Sequence, residues 1–135
     1  MGDSPQIGFM KGFHVRRKSK TPHDEEMLDA LQSIGEKIND EREFKELLFI
    51  DKNFAVAMSQ LPSCKNIWAQ SRYSSCSISD QGGCNIGWHW KSTGEYWKEF
   101  YDPTEKDLLK LKEVLKDAGF VIDNEIKDGI IAYEG

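Results

Sequence analysis

Residues 84–91 read Cys84-Asn85-Ile86-Gly87-Trp88-His89-Trp90-Lys91. Cys84, Ile86, Trp88 and Trp90 alternate with Asn85, Gly87, His89 and Lys91. Successive strand side chains point to opposite faces, so this period of two predicts a half-buried strand. Turn-forming sequences bound it: Asp80-Gln81-Gly82-Gly83 before and Ser92-Thr93-Gly94 after. Trp68 and Tyr73 precede the run and Tyr96, Trp97 and Tyr101 follow it, an enrichment suited to a pleated sheet. Residues 66–79 therefore predict one or two further strands, and Tyr96–Tyr101 another, in an antiparallel meander.

Helical patterns lie on either side. Thr104-Glu105-Lys106-Asp107 is an N-cap with an acid at the third helical position. Leu108, Leu111, Val114, Leu115 and Ala118 then recur at three and four, and Gly119 is a left-handed stop. Beyond it, Phe120-Val121-Ile122 and Ile130-Ile131-Ala132-Tyr133 predict two strands, joined by a hairpin at Lys127-Asp128-Gly129. Upstream, Thr21 caps a helix with Pro22 at its first position and Asp24 in its first turn. Met27, Leu28, Leu31, Ile34 and Ile38 form its stripe, and Asn39-Asp40 closes it. Asp40 caps a second helix that buries Phe44, Leu47 and Leu48. Residues 53–60 fit either a strand or a helical turn. Residues 1–20 have the composition of a basic, flexible tail, in which Phe9 and Phe13 are available to dock.

The pattern predicts an α+β fold: an antiparallel sheet of roughly five to seven strands, packed on one side by two to three helices. The order is helix, helix, meander, helix, hairpin, and residues 21–135 form a single domain. A chain of 135 residues is of ordinary size for one core.

The formal net charge is −5, but it is unevenly spread. Residues 1–20 carry Lys11, Arg16, Arg17, Lys18 and Lys20 against Asp3 alone. The remainder is acidic outside the aromatic segment, which argues against a protein that wraps nucleic acid. No apolar run is long enough for a membrane span, and the N-terminus lacks the apolar core of a secretory signal. Three cysteines, an odd number, predict reduced thiols and a cytoplasmic setting.

Several chemistries are testable against spacing. Cys64, Cys76, Cys84 and His89 are zinc-type ligands, but no Cys-x-x-Cys knuckle fixes two of them together. Cys84 or His89 is the candidate for a small enzyme, although no motif pairs a thiol with a base. Glu125-Ile126-Lys127 with Asp102 matches part of a nuclease pattern, and the same triplet is ordinary on an exposed strand. Phosphate loops are absent. No cofactor or metal is expected.

The aromatic sheet is the most informative feature. Trp68 shares a strand face with Gln70 and Arg72, and His89 shares one with Asn85 and Lys91. If the two coincide, Trp68, Arg72, His89 and Lys91 form a binding surface, since aromatic and Arg side chains dominate interface energetics. The expected function is a non-enzymatic binding or inhibitory module for another protein, of inhibitor, immunity or phage anti-defence type. It would use this aromatic-basic sheet face or the acidic face of a helix. The alternative is a small-molecule or nucleotide binder with a pocket of Trp, Tyr, Arg72 and His89.

Overall fold

The computed structural model describes residues 6–17, 30–31, 33–71, 83–94 and 99–134. Strand β1 spans Gln6–Arg17, followed by helices α1 (Ile34–Asn39), α2 (Glu41–Ile50) and α3 (Lys52–Ser59). A 3₁₀ turn at Cys64–Asn66 leads into β2 (Ile67–Ser71) and β3 (Cys84–Ser92). Helix α4 (Glu105–Asp117) and the long strand β4 (Phe120–Glu134) complete the order. The class is α+β, with one antiparallel sheet in the order β2-β3-β1-β4.

The helices cover one face of the sheet. Ile67, Ile86, Trp88, Phe13, Val15 and Phe120 meet Leu31, Ile34, Leu47, Phe54, Met58, Leu111 and Leu115 in one core. The Trp88 indole N–H donates to the Pro62 carbonyl at 2.8 Å, so the largest core side chain buries no idle donor.

Two of the predicted caps form. Asp40 accepts from the Glu43 amide and closes the start of α2. Thr104 and Asp107 complete a capping box on α4. Gly119, at φ 94°, takes the left-handed conformation that releases the chain into β4.

Several expectations are corrected or resolved. The sheet has four strands and the chain four α-helices among the described residues, not five to seven strands and two to three helices. Residues 53–60, read as strand or helix, lie almost wholly in α3. The segment expected to be a tail forms β1, hydrogen-bonded to β3 on one side and β4 on the other. Its glycines hid it: Gly12 faces Gly87 so closely that a Cβ would sit 2.5 Å from the Gly87 Cα.

The predicted hairpin at Lys127-Asp128-Gly129 is not a turn. Met10 pairs with Gly129 and Gly12 with Ile126, so β4 inserts an extra residue there and runs on. The Asp-Gly signal marks an irregularity within one strand. The helix predicted to end at Asn39 is interrupted at Ser33, whose φ of 56° is left-handed. The α1 segment then packs Gly35 directly on backbone, where a Cβ would lie 2.4 Å from the Lys65 carbonyl oxygen. The Thr21-Pro22 cap lies outside the described residues. Phe100 and Tyr101 belong to no strand. Among the described residues no helix is long and apolar enough to cross a membrane.

Candidate functional site

The sheet's second face carries Trp68, Gln70, Asn85 and His89. The β2–β3 register pairs Trp68 with Gly87 and Gln70 with Asn85, so these two residues share a face with Asn85 and His89. Arg72 lies outside the described residues. Trp68 reaches His89 edge-on, with ring centroids 6.0 Å apart. Phe100 meets the imidazole from 5.0 Å, also edge-on. The Tyr101 amide donates to the His89 carbonyl at 3.0 Å and holds this segment against β3, past the end of β2.

His89 is consequently enclosed, with 2% of its surface exposed. Burial pushes its pKa below the ordinary histidine value, against a smaller upward pull from a backbone hydrogen bond with Lys91. The residue expected on a binding surface is a buried aromatic neighbour of Trp68. Gly8 makes room for it, because a Cβ there would stand 2.8 Å from Nε2.

Lys91 departs from this face. Phe9 pairs with Lys91 and Met10 with His89, so Trp90 is an extra residue on β3. A bulge of this kind reverses the alternation beyond it. Trp90 and Lys91 therefore join Phe9 and Lys11 on the other side of the sheet. The Lys11 ammonium lies 3.9 Å from the Trp90 ring centroid and the Lys91 ammonium 4.3 Å from it. Lys91 also stands 5.0 Å over the Phe9 ring. The indole N–H donates to the Lys127 carbonyl at 2.8 Å, which fixes the ring against β4. Two exposed carboxylates border the group: Asp102 at 2.6 Å from Lys11, and Asp128 at 3.3 Å from Lys91. Ile130, paired with Phe9 across β1–β4 and 56% exposed, adds an apolar margin.

Of these residues, Phe9 and Lys11 fall in the segment expected to be a tail, and Trp90 in the alternation of Cys84, Ile86 and Trp88. The signal that could have placed two of them is the alternation of Phe9, Lys11, Phe13 and Val15 with Gly8, Met10, Gly12 and His14.

A second polar group lies on β1. His14 Nδ1 is 2.7 Å from Asn85 Oδ1, and Nε2 is 3.9 Å from Asp123 Oδ2. Arg16 donates to Asp123 Oδ1 at 3.0 Å. Asp123 occupies an irregularity of β4, since His14 pairs with Asn124 but Val15 with Ile122. The basic arm read at Arg16 is thus, at that residue, part of a sheet ion pair.

Cys84 is fully buried among the helix-side core residues, whereas His89 faces the other way, so they form no thiol–imidazole pair. Among the described residues no three His, Cys, Asp or Glu side chains group as a metal site; Cys76 lies outside them. No protein-family model, curated protein or solved structure matches this chain.

Proposed function

We propose that this chain is a non-enzymatic binding module for another protein, of the inhibitor or immunity type, and that it engages its partner through the surface centred on Trp90. The observation that carries this reading is one partly exposed indole with two lysine ammonium groups at 3.9 and 4.3 Å, bordered by Phe9 and the exposed Ile130. Cation–π contacts at exposed sites contribute about 0.5–1 kcal/mol each. They hold the aromatic ring and both cations in one arrangement before a partner arrives, which lowers the entropy cost of association. The chain's own Asp102 and Asp128 occupy the positions that a partner's carboxylates would take.

The ring is already faced by ammonium groups, which leaves it poorly placed to stack on a nucleobase; the acidic net charge also disfavours phosphate. A cytoplasmic setting with reduced thiols remains part of the proposal.

The test is affinity capture from the native cell, followed by titration of the captured partner against variants. Trp90→Ala and Lys91→Glu should each weaken binding by at least about tenfold, the behaviour of an interface anchor. Both side chains lie outside the main core, so the melting temperature should move by only a few degrees. Unchanged affinity in both variants removes Trp90 as the centre of the interface.

A further inference from the structure

The walls around the His89 imidazole differ in how firmly they are held. Gly8 belongs to β1 and Trp68 to β2, and both strands are tied into the sheet by ladders of backbone hydrogen bonds. A third wall is Phe100, in the irregular segment of residues 99–103. Among the described residues a single backbone hydrogen bond, from the Tyr101 amide to the His89 carbonyl, fastens that segment to the sheet. Before it in the chain, Glu99 is held by an exposed ion pair with Lys65 at 2.8 Å. The Tyr101 hydroxyl donates to the buried Asp107 at 2.6 Å, which anchors the far end on α4. Phe100 itself stays 41% exposed where it lies.

Lifting Phe100 therefore breaks one backbone hydrogen bond and uncovers a ring already partly in water. Moving β1 or β2 aside would break a strand pairing and leave several backbone groups without partners. The charged side chains of the elements that meet at His89 face other groups. Lys11 of β1 meets Asp102, and Lys91 of β3 meets Asp128. His14 and Arg16, further along β1, face Asp123. Glu99 meets Lys65, and β2 holds no charged residue. A neutral imidazole is stable among aromatic rings, whereas an imidazolium enclosed there forfeits its hydration.

We propose that residues 99–101 form a flap over the sheet's second face, closed on a neutral His89 and lifted when the imidazole takes a proton. Opening admits water to the ring and leaves the rest of the sheet paired. Burial holds the His89 pKa down in the closed form, and hydration in the open form returns it towards the ordinary value, so proton uptake and opening favour each other. The closed flap is thus favoured above about pH 6.5, and opening gains as pH falls from there towards the lower closed value. Within that window one proton is taken up per opening, so each unit of acidification favours the open form by up to about tenfold.

The test is amide hydrogen exchange of the full chain, read by NMR from about pH 7.5 to about pH 5. Protection of the Tyr101 amide, corrected for the intrinsic pH dependence of exchange, should fall on acidification by up to about tenfold per unit. It should also lie at least about tenfold below the protection of the Leu115 amide in α4 at every pH, which marks the opening as local. His89→Gln should remove the pH dependence at Tyr101. Phe100→Ala, which alters a partly exposed side chain, should move the NMR titration of the His89 ring up towards about pH 6.5. Equal protection at Tyr101 and Leu115 overturns the proposal, because exchange then follows global unfolding. A Tyr101 profile unchanged by His89→Gln assigns the effect to carboxylates instead, and a His89 titration unmoved by Phe100→Ala shows that Phe100 does not govern access to the ring.

Discussion

Gly12 and Gly87 show how one missing atom sets the sheet. They face each other across β1 and β3, and a Cβ on Gly12 would come within 2.0 Å of the Ile86 carbonyl oxygen. The obstructing atoms are backbone, so no rotamer change relieves the clash. Gly12→Ala should therefore destabilise the protein by about 3 kcal/mol, the upper part of the overpacking range. Urea unfolding measures this, and a cost below about 1 kcal/mol would show that the strands can separate without loss. His89 offers a pH test at the same scale. The unfolded chain binds a proton there near pH 6.5, whereas the buried imidazole resists protonation. Below that pH the unfolded state carries the extra proton, so His89's contribution to stability is present above about pH 6.5 and falls as pH drops towards the lower folded value. Replacing His89 with Gln should flatten that part of the stability–pH curve. An identical slope in the variant would show that the imidazole is wetted.

At the scale of the element, α4 combines local and tertiary stabilisation. Thr104 accepts from the Asp107 amide at 3.2 Å, and the Asp107 carboxylate accepts from the Thr104 amide and from the Tyr101 hydroxyl, at 3.0 and 2.6 Å. Burial alone would raise the Asp107 pKa, but the hydrogen bonds from Tyr101 and Thr104 outweigh it and leave it lowered. The same contact, with burial and the nearby charge, pushes the Tyr101 phenol up to about 12. The Asp107 contribution is thus present above the ordinary carboxylate range and lost on acidification; that of Tyr101 is lost as pH rises towards 12. Thr104→Ala should cost about 1 kcal/mol through the cap. Leu111→Ala or Leu115→Ala should cost about 2–5 kcal/mol, since both side chains are fully buried. Chemical denaturation of the three variants would rank them; a cap loss exceeding both core losses would contradict this division.

For the whole molecule, β1 decides the outcome. It is the only described strand paired with β4, and it also pairs with β3. Removing residues 1–17 exposes the edges of both partners and deletes Phe13 and Val15 from the core. The truncated chain should show no cooperative thermal transition. A sharp melt near that of the full chain would mean that β4 can dock without β1.

The sequence by itself determined whatever depends on near neighbours. The caps at Asp40 and Thr104, the stripe through Leu111 and Leu115, the stop at Gly119 and the alternation from Cys84 to Trp88 are local patterns, and each appears in the structure. Period two also assigned Trp68 a face within its strand and His89 one within its own, but that the two faces coincide was set by the β2–β3 register. Only tertiary structure decided that Gly8 and Gly12 belong to a central strand. Glycine has poor strand propensity, and its value here is the close approach of a partner far along the chain. Only cross-strand registry decided that Asp128-Gly129 is an irregularity and not a turn, and that the Trp90 bulge separates Lys91 from His89. A bulge is a relation between two strands, counted as two residues opposite one. No pattern within either strand contains that count, so the proposed binding surface is centred on Trp90 and not on Trp68.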